Sequence, residues 1–148
     1  MKRVQRTLRL TALIGISSLA GLLGAALAQN SVGNITGFVT VPASIKNTDK
    51  LIVLACAKAD EMCAKPVQVI ALGGKAGIKV KTGVKIPYSF VRLPNGEYTI
   101  YALNDLNDNR QHDPDTEEIG GYFTPGTFDP LPVTPPARGI DLELIGLE

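Results

Sequence analysis

Between Asn34 and Leu144 the chain is divided into short apolar runs separated by Gly, Pro, Asn and Asp, and none of these runs carries a helical period. Asn34–Val41 is rich in Val, Ile and Thr, the residues that suit a pleated, half-buried surface. Lys50–Ala57 is almost wholly apolar, as expected of a strand covered on both faces or of a short buried helix; its valine-rich neighbours and flanking turn residues favour the strand. Pro66–Leu72 and Gly77–Thr82 follow, split by Gly73-Gly74, and Ile86–Leu93 and Glu97–Leu103 flank Pro94-Asn95-Gly96. Asn-Gly at a tight connection predicts a hairpin, because both residues tolerate positive φ. At the end, Ile140, Leu142 and Leu144 alternate with Asp141 and Glu143, the pattern of a strand with one buried face. The spacing predicts an all-β fold, a single antiparallel β-sandwich of about seven strands.

The first 28 residues read as a segment apart. Lys2, Arg3, Arg6 and Arg9 precede an apolar run, Leu10–Leu27, and Ala26-Leu27-Ala28 places small residues where a signal peptidase cuts. A cleaved signal peptide over 1–28 is expected, the alternative being an uncleaved anchor. No Cys follows the cut, which argues against a lipoprotein, and the arginines are not paired as the twin-arginine route requires. Residues 29–148 then make one domain, in the periplasm or at the cell surface, with no further membrane span. Removal of the leader leaves 11 basic and 14 acidic residues of the full chain's 15 and 14. The lysines stand singly, without interleaved aromatics, which argues against a nucleic-acid surface. With no Trp, the core must rest on Val, Ile, Leu and Ala.

Residues 104–118 carry the densest chemistry. Numbered as a calcium loop from Asp105, positions 1, 3, 5, 7 and 9 fall on Asp105, Asn107, Asn109, Gln111 (through its backbone carbonyl) and Asp113. Ca²⁺ takes six to eight oxygens in flexible geometry, and alternating Asp and Asn supply them from a short stretch of chain. Position 12, ordinarily a bidentate Glu, is Thr116, so Glu117 or Glu118 must serve in its place. Position 6, where positive φ favours Gly, is Arg110. The alternative is a solvated loop held by Asx turns.

Cys56 and Cys63, the only cysteines, are expected to form a disulfide closing the 57–62 loop; a redox or copper site using Met62 is the sharper alternative. Residues 124–137 contain five prolines and are excluded from helix and central strand. They read as a stiff crossover between sheets or a docking edge.

Gly33-Asn-Ile-Thr-Gly37-Phe-Val-Thr-Val41, the Tyr88–Ala102 stretch with its Leu93-Pro-Asn-Gly96-Glu-Tyr98, and the late alternating strand resemble the transthyretin-like or carboxypeptidase-regulatory-like β-sandwich modules of secreted bacterial proteins. Asn104–Asp113 is similar to the D-x-N-x-N-G-x-x-D loop that some such members carry, with Arg110 departing from it. The resemblance implies a β-sandwich and little about activity. The histidine-rich strands and Tyr-Arg-Gly-Ser ending of the purine-pathway hydrolases within that group are absent here.

Catalytic signals are sparse. His112 is the sole histidine, Ser31, Ser44 and Ser89 stand in no nucleophile-elbow context, and Gly73-Gly74-Lys75 lacks phosphate-loop spacing. The sequence therefore leads to a non-catalytic exported envelope module that binds a protein or glycan partner and is stiffened by Ca²⁺. A structural accessory subunit of a surface-layer or outer-membrane assembly is the alternative, and a hydrolase using His112 the more distant one.

Overall fold

The computed structural model describes residues 31–45, 48–73, 82–83 and 85–146. The expected leader, residues 1–28, and nearly all of the expected strand over 77–82 lie outside them. Among the described residues there is no helix. Eight strands run in chain order: β1 (Val32–Thr40), β2 (Leu51–Ala57), β3 (Gln68–Ala71), β4 (Lys85–Pro94), β5 (Tyr98–Asn104), β6 (Ile119–Gly121), β7 (Ala137–Arg138) and β8 (Leu142–Ile145). The all-β expectation holds.

Pairing follows one path, β3-β2-β5-β6-β8-β1-β4, with β7 beside β1. The sheet is nearly barrel-shaped, and its two end strands approach each other, with Gln68 Nε2 donating to the Val91 carbonyl at 2.9 Å. Two departures from the sequence reading concern partners. The pairing is not wholly antiparallel, because β7 and β8 both run parallel to β1. Nor do Pro94-Asn95-Gly96 close a hairpin: β4 pairs with β1, whereas β5 pairs with β2 and β6. Neither Asn95 nor Gly96 takes positive φ, so the turn carries the chain across the core. The Tyr98 hydroxyl, donating to the Pro94 carbonyl at 2.9 Å, ties that crossing down.

The main core lies inside the curl, filled from β1 (Ile35, Val39), β4 (Phe90, Leu93), β2 (Val53, Ala55), β5 (Ile100, Ala102) and β8 (Leu142, Leu144). A bulge keeps β4 in phase: Arg92 turns to φ +56° and its amide donates to Asn34 Oδ1 at 3.0 Å, so Phe90 and Leu93 both face inward across an odd spacing. Tyr88 is buried, and its hydroxyl donates to the Ile140 carbonyl at 2.6 Å. Burial, with the Asp141 charge adding to it, raises that hydroxyl's pKa well above the ordinary tyrosine value.

β8 joins the two parts of the sheet, antiparallel to β6 and parallel to β1. The join needs two glycines. A Cβ on Gly37 would lie 1.9 Å from the Ile140 carbonyl oxygen, and one on Gly120 would lie 2.1 Å from that of Glu143. The proline-rich segment is the crossover that reaches this strand: Val133 exchanges both backbone hydrogen bonds with Tyr98 on β5, and Ala137 then pairs with Ile35 on β1.

Because β2 alternates in register, Val53 and Ala55 point into the main core while Leu54 and Cys56 point out. Outside they meet Leu103 and Cys63 in a second, smaller apolar cluster. That outer cluster is the floor of the site described next.

Candidate functional site between the disulfide loop and the acidic loop

Loop 104–118 begins where β5 ends. Asp105 is buried, and its carboxylate accepts the amides of Asn109 and Arg110, each at 3.0 Å. Asn107 Oδ1 accepts the Asn109 amide at 3.0 Å, and Asn109 Oδ1 accepts that of Gln111 at 2.7 Å. Each is an Asx turn, and repetition at alternate residues winds the chain tightly with the side-chain oxygens inside. The winding requires left-handed backbone at Asp108 and Arg110, both at φ +61°. Arg110 therefore takes, without glycine's freedom, the conformation that position demands. Lys50 Nζ pairs with Asp108 on the outer side.

Glu117 closes the loop from the other end. It has no exposed surface, and its two carboxylate oxygens accept the amides of Leu106 at 2.8 Å, Asn107 at 3.4 Å and Asp113 at 3.1 Å. Asp113 Oδ2 in turn accepts Asn107 Nδ2 at 2.6 Å. Of the two candidates for the closing position, Glu117 points inward, and Glu118 turns back to accept Asn104 Nδ2 at 2.8 Å. The structure thus gathers Asp105, Asn107, Asn109, Asp113 and Glu117, leaves Glu118 aside, and uses Gln111 through its backbone amide. Among the described residues, no three His, Cys, Asp or Glu side chains stand close enough together to hold a metal ion between them. Asn and backbone oxygens would have to complete any coordination shell.

Cys56 and Cys63 form the expected disulfide, with Cα atoms 5.3 Å apart. Asp60 shapes its loop, accepting the amides of Ala64 at 3.0 Å and Lys65 at 2.8 Å. Cys63 sits at φ +49°.

These two loops, remote in sequence, face each other across a cleft of about 190 Å³. Leu54, Tyr101, Leu103 and Ile119 make its floor. One wall is Glu61, Met62 and Cys63; the other is Arg110, Gln111 and His112. Met62 is 86 % exposed. His112 is half-buried, and its Nε2 lies 3.0 Å from the Glu117 carbonyl oxygen. Among the described residues no serine lines the cleft. Comparison with protein-family models, with curated proteins and with solved structures finds no match.

Sequence spacing singled out both loops but not their meeting. His112 is separated from Met62 by the whole of β3, β4 and β5 in the chain, and no local pattern encodes their shared cleft. Tyr101 was hidden as one more strand residue.

Proposed function

We propose that the chain is a non-catalytic, exported cell-envelope module that docks a protein or glycan partner in the cleft between its disulfide and acidic loops, with Ca²⁺ stiffening the acidic loop. The observation that carries this reading is the pair of buried carboxylates, Asp105 and Glu117, inside one loop that forms a cleft wall. Both are held by backbone amides, and among the described ion pairs, which join Lys50 to Asp108, Lys58 to Glu97 and Lys85 to Asp141, neither carboxylate takes part. Buried charge calls for a counter-charge or a metal, and both Asp105 oxygens and Glu117 Oε2 keep a second lone pair beyond the one amide each accepts. The transthyretin-like resemblance of the Leu93–Tyr98 run fits a module of this kind.

Melting the protein in EDTA and then in about 1 mM Ca²⁺ tests the metal. An affinity near 10 µM adds roughly 2.7 kcal/mol by linkage, a rise on the order of 10 °C for a domain of this size. The rise is expected to vanish in Asp113→Ala and to be absent with Mg²⁺; no rise in the parent protein sinks the calcium part. For docking, a photo-crosslinker at Gln111 is expected to capture an envelope component that one at Val91 does not. Equal capture from both positions removes the cleft from consideration.

A further inference from the structure

A second concave surface lies away from both loops, between the turn after β6 and the outer face of β8. Its volume is about 480 Å³. Residues 122–131 form a small hairpin in which Leu131 N donates to the Tyr122 carbonyl at 2.8 Å and Thr124 N to that of Asp129 at 2.9 Å. Thr127 Oγ1 donates to the Thr124 carbonyl and accepts the Asp129 amide, and Gly126 supplies φ +81° at the tip. This bonded tip holds Phe128 with 74 % of its surface exposed. A large aromatic presented on so constrained a loop leaves most of its apolar surface in water, where a ligand could cover it.

Phe123 backs it. The Phe123 ring lies over Gly121, where a Cβ would come within 2.4 Å of it, and packs 6.3 Å from Tyr101. Its centroid is 5.9 Å from that of Phe128 with the planes at 77°, so the two rings make a corner. Opposite stand Asp141, just ahead of β8, and the outward β8 side chains Glu143 and Ile145, alternating with buried Leu142 and Leu144. Asp141 is partly engaged, accepting the Phe38 amide at 3.1 Å and lying 3.3 Å from Lys85 Nζ; Glu143 supplies the remaining negative charge. No lysine, arginine or histidine is among the described residues that line the surface.

We propose that this surface binds an alkylammonium cation, carried either by a small molecule or by a lysine side chain of a partner. Two aromatic rings beside the Glu143 carboxylate, with the one lysine near the surface already paired to Asp141, favour a positive charge wrapped in CH groups, which the rings attract through their quadrupoles. The same lining repels phosphates and carboxylates. A sugar is served less well, since the hydroxyl of Thr127 is already engaged within the hairpin.

Titration of ¹⁵N-labelled protein with choline, with its uncharged isostere 3,3-dimethylbutan-1-ol, and with a blocked Gly-Lys-Gly peptide tests the proposal. Choline or the peptide is expected to shift the amides of residues 123–128 and 141–145, and the isostere is not. A response to choline alone assigns the cation to a small molecule, to the peptide alone to a lysine side chain, and to both to the shared group. Glu143→Gln and Phe128→Leu, surface changes that leave the core intact, are each expected to weaken binding about two- to five-fold. Three results overturn the proposal: no shifts with either cation, equal shifts with the isostere, or variants that bind like the parent. A response to maltotriose without one to choline overturns it in favour of a glycan. None of these outcomes bears on the cleft, which shares no residue with this surface.

Discussion

Glu117→Gln isolates the electrostatic locking of the acidic loop. The substitution keeps volume and shape and replaces one acceptor oxygen by an NH₂ donor. With Oε1 retained toward the amides of Leu106 and Asn107, the new Nε2 faces the Asp113 amide, so a donor meets a donor where a 3.1 Å bond stood. The flipped amide is worse, because it sets the NH₂ against two amides. A hydrogen bond to a charged acceptor contributes about 1.5–3 kcal/mol, and the half-buried Asp113 amide left facing a donor adds up to about 1–3 kcal/mol. The expected loss is therefore about 3–5 kcal/mol. At a slope of about 1–3 kcal/mol per molar urea, the midpoint falls by roughly 2 M with the slope unchanged. Glu118→Gln is the control: the bond it accepts from Asn104 Nδ2 survives through the amide oxygen, and the expected loss is below about 1 kcal/mol. Urea melts of the two variants in EDTA read the difference directly. Equal losses, or a Glu117→Gln midpoint within error of the parent's, would refute the claim that Glu117 locks the loop.

Three further outcomes follow from the fold. Gly120→Ala forces a Cβ to within 2.1 Å of the Glu143 carbonyl oxygen, so β6 and β8 must separate; a loss of about 2 kcal/mol or more is expected in thermal melts, against less than about 1 kcal/mol for Gly96→Ala, whose Cβ would meet nothing closer than 3.6 Å. Tyr88 is held neutral by the fold, so its contribution is complete below the unfolded pKa near 10 and declines as pH rises above it, where only the unfolded chain ionises. Stability curves from pH 8 to pH 11.5 are expected to fall more steeply for the parent than for Tyr88→Phe, which itself starts lower because the Ile140 carbonyl loses its donor. Replacing Cys56 and Cys63 together by Ala is expected to cost about 2 kcal/mol by the chain-entropy argument, read as a lower urea midpoint that reductant no longer shifts.

What the sequence disclosed and what it concealed divide along the range of the interaction. Strand identity is local, and the runs around Ile35, Val53, Phe90, Ile100 and Leu142 all became strands of the core. So is turn chemistry, and the Asx residues of loop 104–118 wound it as their spacing suggested. Partner choice is not local. Pro94-Asn95-Gly96 announced a reversal of the chain, and nothing nearby indicated that β4 and β5 would seek different neighbours. The parallel pairing of β8 with β1 joins residues about a hundred positions apart and has no signature at either end. The choice between Glu117 and Glu118 turned on which of two adjacent side chains faces inward, which β6 decides by fixing the phase. Phe128 stood in a proline-rich stretch read for its stiffness, with Phe123 just ahead of it, and stiffness is what displays the pair.

The position of β8 also has a consequence in time. Until Leu142–Ile145 is in place, the ribbon begun by β1 and β4 and the one built on β2, β5 and β6 have no shared strand. A chain emerging from a ribosome therefore presents β1 to β7 before the strand that unites the halves arrives. Contacts of such long reach are slow to form. The delay leaves two incomplete edges open to any other strand in the vicinity.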